Sequence, residues 1–405
     1  MKVPITGRAW SCQTFSCFGV LGVAGLLAAQ PSCVSSCGAA NDGVPGGGTG
    51  LGGNTGVVVA DAAAPDAGDD SGGGLGAENV IAAGVRWFGR VDTVTDPDRP
   101  RFAWSATGFV ATITGGTFSV DLENDGPFMF KAVIDGEPQP PFAVTAGEGT
   151  YVLADGLPDG THTVALYRQT EGWYGISQLL ALTVEGGTLL PPPAAAPRLI
   201  EVVGASVSCG YGNLGTAPCG FTFPTESAFD AYESVAARAV GAELSVVAIS
   251  GRGVYRNSDG TMTDTMPQIY ERIFASTATP AWDFRVTPQV LVINLGKNDL
   301  AVDDPGPAFV DAYVTFTGAL RERYPNAYIV CTTGPNLGDA NHVIQVAYVG
   351  AAIAARTAAG DDRIELLDWP EDTADDQGCD GHPNATKHQA MGDALADLLR
   401  TRLGW

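Results

Sequence analysis

Four residue types able to perform acyl transfer together stand far apart in this chain: Ser206, Gly251, Asn298 and His382. A serine hydroxyl beside an imidazole is a nucleophile with its base. Backbone and amide N–H groups aimed at the reacting carbonyl hold the negative charge that develops on its oxygen. Taken singly, each residue has a plainer reading. Ser206 lies in "RLIEVVGASVSCGYGN" (Arg198–Asn213), just after an apolar run, where a serine also caps helices. Ser208, two residues on, alternates away along the turn and is not expected to react. Gly251 and Gly253 in "ISGRGVYRN" let a backbone approach a ligand, and the Gly251 N–H can donate to an oxyanion; they also suit an ordinary turn. Asn298 in "NLGKNDL" brings an amide donor, with Asp299 following it into the loop; asparagine is equally a turn residue. His382 in "GCDGHPNATKHQ" precedes Pro383, which holds it extended. The other three of the four histidines sit elsewhere: His162 between strand-like segments, His342 and His388 on predicted helices.

What raises the four above their plain readings is the set of elements that must carry them. From Arg198 onward, "LIEVVG", "LSVVAIS", "QVLVINLG", "AYIVCT" and "RIELLD" are near-continuous apolar runs, the pattern of parallel strands buried on both faces. Helical spacing is predicted over Glu226–Val240, Pro307–Arg323, Ala340–Thr357 and Asn384–Arg402. Strands alternating with helices predict a three-layer α/β domain, whose chemistry belongs at the carboxyl ends of the strands. Ser206, Gly251 and Asn298 each follow a different run, and His382 occupies the loop after the last one.

Upstream, short period-two segments such as "RWFGRV", "FVATIT", "TFSVDLE", "FMFKAVID" and "HTVALYRQ" alternate with turns such as "NDGP" and "LPDGTH". About eight such strands predict an N-terminal β-sandwich of jelly-roll type. "LLPPPAAAP", Leu189 to Pro197, reads as a stiff connector. Residues 1–37 are read as a leader: Lys2 and Arg8, then "FGVLGVAGLLAA", too short to span a bilayer, then "VSSCG" with Cys37. A lipoprotein signal with Cys37 lipidated and an ordinary cleaved secretory signal both fit. Residues 38–78, mostly Gly, Ala and Asp, form an acidic tether that cannot bury a core. The domains expected are therefore 79–190 for the sandwich and 191–405 for the α/β body.

The chain has 405 residues, 45% hydrophobic, 17% charged, and a formal charge of −23. That charge argues against nucleic acid and against electrostatic docking on anionic lipid, and suits a neutral or weakly charged partner. Export places Cys209, Cys219, Cys331 and Cys379 in an oxidising setting. Cys209 and Cys219 bracket a glycine-rich loop and make the most economical pair; free buried thiols are the alternative. No C-x-x-C spacing occurs, so no metal site is expected; no cofactor is expected either. Of the aromatics near these loops, Tyr211 is the candidate for stacking on a sugar ring, and Trp173 and Tyr174 are placed at the junction of the two domains.

In order and context, Gly204–Ser206, Gly251, Asn298 and His382 resemble the four blocks of the SGNH (GDSL-like) hydrolases. The resemblance is closest to carbohydrate esterase family two, which joins a jelly roll to an SGNH domain of flavodoxin-like build. It covers roughly Ala83 to the C-terminus and includes "RWFGR", "WSATGF", "DGLPDGTHTVALYRQTE", "CGYGN", "SGRGVYRN", "NLGKND" and "GCDGHP". It implies removal of O-acetyl groups from polysaccharides such as xylan or glucomannan. Ser206 would be the nucleophile, His382 the base, and Ser206 N–H, Gly251 N–H and the Asn298 amide the oxyanion hole. Two departures stand out. Ala205 replaces the usual Asp of the nucleophile block, and Cys379 occupies the position three before the histidine where many such enzymes carry their acid. Asp380, two before, is the remaining acid, unless a backbone carbonyl orients the ring in its place. The resemblance implies a secreted or envelope-anchored monomer acting on acetylated glycan. A sugar-binding lipoprotein with a decayed site, and an SGNH lipase or lysophospholipase, are the alternatives.

Overall fold

The computed structural model describes residues 81–82, 84–335 and 338–405; the expected leader, Cys37 and the Gly/Ala/Asp tether lie outside them. Among the described residues, the N-terminal part forms two antiparallel sheets of eight and five strands. Along Gly116–Asn124, Phe118, Val120 and Leu122 turn inward while Ser119, Asp121 and Glu123 face outward, as strand geometry requires. The inward residues of both sheets, Phe102, Phe109, Phe130, Leu153 and Leu166 among them, close one apolar core. The strands are shorter than the apolar segments. "RWFGRV" divides into Val85–Phe88 in one sheet and Val91–Asp92 in the other, and Gly89, at φ +77°, makes the turn between them. The connector is not free at its start: Leu189–Leu190 pairs with Gly108–Ile113 and extends the larger sheet.

The C-terminal part is a five-stranded parallel sheet. In chain order its strands are Leu199–Gly204, Glu243–Ala248, Val290–Asn294, Tyr328–Thr333 and Ile364–Asp368. Their spatial order is second, first, third, fourth, fifth, the flavodoxin-like arrangement. Alternate residues of one strand serve opposite faces: Val202 joins a cluster with α2 (Tyr232–Val240) and α6 (Ala385–Leu403). Val203 joins the cluster of the one-turn α3 (Met266–Ile269), α4 (Pro307–Arg323) and α5 (Asp339–Ala358) on the other side. Helical layers cover both faces of the sheet, so its strands are largely apolar; Glu201 and Ser245 are buried polar exceptions that meet each other, Ser245 Oγ donating to Glu201 Oε2 at 3.2 Å.

The helix expected over Glu226–Val240 begins only at Tyr232. Residues before it take two 3₁₀ turns, Phe223–Thr225 and Ala228–Asp230. The cause is competition for backbone groups: Asn213 accepts from Ser227 N–H at 3.0 Å and donates to the Ser227 carbonyl at 2.9 Å. Register places Gly204 opposite both Ala248 and Asn294, so the first three strands end at one level. The strand order reverses between the first and third strands, and Ser206 and Asn298 follow those two.

Candidate active site

Ser206 opens the one-turn helix α1 (Ser206–Cys209), directly beyond the first strand. It is 6% exposed. Its Oγ lies 2.9 Å from His382 Nε2, across 176 residues of chain. Ser208 turns away, its hydroxyl 3.0 Å from the Tyr232 hydroxyl and packed over the first strand. Position 204 has to be glycine for that packing, since a Cβ there would stand 2.1 Å from Ser208 Oγ.

The histidine is held by its backbone. A 3₁₀ turn, Cys379–Gly381, precedes it, and His382 N–H donates to the Cys379 carbonyl at 3.1 Å. Gly378 N–H donates to the His382 carbonyl at 2.7 Å. Pro383 cannot continue the turn, and Asn384 then caps α6 by accepting from Lys387 N–H at 3.0 Å. The loop is tied to the serine's own loop, Cys379 N–H donating to Gly212 O at 3.0 Å and Ala385 N–H to Asn213 O at 2.8 Å.

Asp380 does not present its carboxylate to the imidazole, which corrects the catalytic role the sequence left open for it. The residue sits in the left-handed region at φ 52°, and its side chain accepts from Tyr211 Oη at 3.1 Å and Phe221 N–H at 2.9 Å. Its main-chain oxygen faces the ring instead, 3.3 Å from His382 Nδ1. The expected Cys209–Cys219 bridge is likewise absent. Cys219 is bonded to Cys379, 160 residues away, and Cys209 is a free, buried thiol. The reason is local: α1 turns Cys209 inward, its Sγ 3.5 Å from Glu171 Oε2, whereas Cys219 stands on the outer loop beside Cys379. Gly215 leaves room for that bridge, because a Cβ there would meet Cys379 Sγ at 2.1 Å.

Asn298 begins a 3₁₀ turn after the third strand and lines a small cleft with Ser206 and Lys297. Its Nδ2 donates to Arg252 O at 2.8 Å, which ties it to the loop that carries Gly251. Gly251 has φ +79°, and its carbonyl accepts from Ser258 N–H at 2.9 Å. Two carboxyl groups anchor this loop, and the sequence reading singled out neither as functional. Asp299 accepts from the N–H groups of Val254, Tyr255 and Arg256 at 3.1, 2.7 and 2.9 Å. Glu171, from the sandwich part, accepts from Ser250 N–H at 2.7 Å, one residue before Gly251. Glu171 N–H in turn donates to Glu226 Oε2 at 3.2 Å. Burial raises the pKa of both glutamates, and the nearby Glu171 carboxyl raises that of Glu226 further. The available signal was the position of Asp299 beside Asn298; nothing near Glu171 in the chain points to a strand end it meets only in space.

Tyr211 packs against the reacting pair, with its ring 4.5 Å from that of His382 and stacked on Phe221 at 4.3 Å. Tyr174 continues the row, 6.2 Å from Phe221. The His382 pKa is pushed down to about 4, first by burial and then by the nearby Lys297 ammonium. The other histidines have partners elsewhere: His162 with Asp135, His342 with Asp368, and His388 accepting from Tyr232 N–H.

A serine–imidazole contact at the strand ends of a 2-1-3-4-5 sheet, behind a jelly-roll-like sandwich, defines an SGNH-type hydrolase architecture. Residues 202–390 match the GDSL-like lipase/acylhydrolase family, and residues 87–193 match the carbohydrate esterase 2 N-terminal domain. A solved family two carbohydrate esterase from Clostridium thermocellum, in complex with cellohexaose, is 33% identical with a TM-score of 0.77, covering 80% of this chain and 100% of that one. The family two carbohydrate esterase from Cellvibrio japonicus is 26% identical with a TM-score of 0.71, over 79% of this chain and 95% of that one. Cellulase/esterase CelE of Acetivibrio thermocellus is 33% identical over 80% of this chain, which spans 40% of that longer protein. An acetylxylan esterase / glucomannan deacetylase of Cellvibrio japonicus is 26% identical, over 82% of this chain and 93% of its own length. The chain belongs to carbohydrate esterase family two.

Proposed function

We propose that this protein is an extracytoplasmic serine esterase that removes O-acetyl groups from polysaccharide, of the xylan or glucomannan kind. The observation that carries the reading is the 2.9 Å contact between His382 Nε2 and Ser206 Oγ at the rim where the strand order reverses. His382 takes the Ser206 proton as Oγ attacks the acetyl carbonyl, and then delivers it to the departing sugar oxygen. With Nε2 as acceptor, Nδ1 carries the hydrogen and donates to the Asp380 carbonyl, so the ring is oriented without a side-chain acid. The Ser206 N–H, the Gly251 N–H and the second N–H of the Asn298 amide serve the oxyanion; one such donor is worth about 3–4 kcal/mol of barrier. Water then hydrolyses the acetyl-serine by the same proton route.

Tyr211 serves the sugar side, and its ring also braces His382. The Cys219–Cys379 bridge supports a life outside the reducing cytoplasm. The reading includes a monomer, released or held to the envelope through lipid on Cys37. Among the described residues no helix is long and apolar enough to cross a membrane. The test is acetate release from acetylated xylan and glucomannan by wild type, Ser206→Ala and Ser208→Ala. Loss on the order of a millionfold in Ser206→Ala, with Ser208→Ala still active, is expected. Activity that persists in Ser206→Ala removes the mechanism, and preference for long acyl chains removes the deacetylase.

A further inference from the structure

Among the described residues, Arg252 and Lys297 are the two basic side chains whose charged groups make neither a hydrogen bond nor an ion pair. Every other described Lys or Arg meets a carboxylate, a carbonyl or a hydroxyl, as Arg256 meets Asp303 and Arg168 meets Ser177. Lys297 acts on His382, and Arg252 is tied through its main-chain oxygen to Asn298, which lines the cleft of Ser206. Lys297 shares the small cleft of Ser206, and Arg252 lines a cavity of about 280 Å³ with Gly251, Glu171, Trp173 and Tyr174. In a chain with a formal charge of −23, unpaired cations at this one place call for an explanation.

Arg252 is also held in one posture. Its guanidinium carbon lies 4.7 Å over the Trp173 ring, and Trp173 is 45% exposed. Its main-chain oxygen is bound by Asn298. Its Nε is buried without an acceptor. A guanidinium held over an aromatic face keeps N–H groups at its edge free to meet a carboxylate. The aromatic row from His382 through Tyr211 and Phe221 to Tyr174 leads along the same wall. Two acids lie within electrostatic reach of Arg252. Glu171 is occupied by Ser250 N–H, and Asp259, at the cavity's edge, accepts from Thr261 N–H and Oγ1 at 3.0 and 2.7 Å.

We propose that Arg252 is a specificity-determining residue that receives a carboxylate of the substrate, which is then an acetylated neutral glycan bearing isolated uronic-acid residues. The proposal rests on the deacetylase reading for the identity of the reacting group, but its own evidence is the unpaired guanidinium. The acidic surface repels a polyanion, so the ligand is a sparsely charged chain and not a polyuronide.

The experiment compares acetylated xylo-oligosaccharides with and without one uronic-acid side group, at low and high salt, using wild type, Arg252→Gln and Arg252→Lys. Wild type is expected to favour the acidic oligosaccharide by about tenfold in kcat/KM at low salt, and less at high salt. Arg252→Gln brings that ratio to about one, and Arg252→Lys keeps part of it. Calorimetry with Ser206→Ala reads binding of the same pair without turnover. Equal kcat/KM for the two sugars in wild type, or a preference that survives Arg252→Gln, overturns the proposal. If neither sugar loses acetate but Ser206→Ala binds the acidic one more tightly, the deacetylase reading fails and the carboxylate site stands. Equal binding of both overturns the carboxylate site, whatever the activity.

Discussion

The acid limb of ester hydrolysis reads the state of His382 directly. A general base must be neutral, and kcat/KM reports its pKa in the free enzyme. An unperturbed histidine titrates near ~6.5. Here burial, with the Lys297 ammonium second, brings His382 down to about 4. Because the pKa is depressed, the neutral, active form is populated down to lower pH. At pH 5 a base of pKa about 4 is ~90% neutral, while one of pKa ~6.5 is only ~3% neutral, a difference of about thirtyfold. Hydrolysis of a small acetyl ester should therefore hold near its plateau at pH 5 and halve near pH 4. Replacing Lys297 by Met removes a cation that disfavours the imidazolium, so the limb moves upward, by roughly half a unit to one unit. Lys297→Arg leaves it in place. Folding has to be followed at each pH by circular dichroism. Buried His388, with its pKa lowered to about 3, contributes stability that falls as pH drops below ~6.5, where only the unfolded state takes the proton. A limb centred at 6.5 or higher in a folded enzyme refutes the burial argument. A limb that Lys297→Met does not move assigns the whole shift to burial and removes Lys297 from the account.

Glu171→Ala leaves the Ser250 N–H without its partner beside the oxyanion loop; kcat should fall by about ten- to a hundredfold with KM little changed, and Glu171→Gln, which keeps an acceptor, should recover most of it. A kcat within twofold of wild type in Glu171→Ala, measured by acetate release, would show that the contact does not place Gly251. Cys219→Ala with Cys379→Ala removes a cross-link between residues 160 apart and should cost about 2–5 kcal/mol in denaturant unfolding, with loss of activity because His382 follows the bridge. Full activity after complete reduction would sink that expectation. Glu233 is fully buried and neither carboxyl oxygen finds a donor, so burial raises its pKa well above the ordinary carboxylate value. Its stabilising contribution is complete below the unfolded pKa and lost as pH rises through the folded one. Glu233→Gln should thus raise Tm by a few degrees at pH 8, about 1–3 kcal/mol, and by little at pH 4; a lower Tm at pH 8 would contradict this.

What the sequence by itself determined is what local periodicity encodes. Near-continuous apolar runs marked the strands that two helical layers cover, and alternation marked the sandwich strands with one face inward. Because strands of a parallel sheet end at one rim, the residues just beyond Ser206's strand and its neighbours were legible as a group from their positions alone. The helix over Glu226–Val240 was legible only in its second half, since Asn213 claims the backbone of Ser227 from a different loop. Tertiary structure alone decided the rest. Cys379 rather than Cys209 reaches Cys219, because α1 turns one cysteine inward and the His382 loop brings the other alongside. The left-handed backbone at Asp380 sends its carboxylate to Tyr211 and leaves its carbonyl to the imidazole. Glu171 meets Ser250, and Arg252 meets Trp173 but no carboxylate, through contacts between parts of the chain some eighty residues apart. Such pairings depend on where two surfaces come to rest against each other, and residue spacing along one strand or helix carries no record of that.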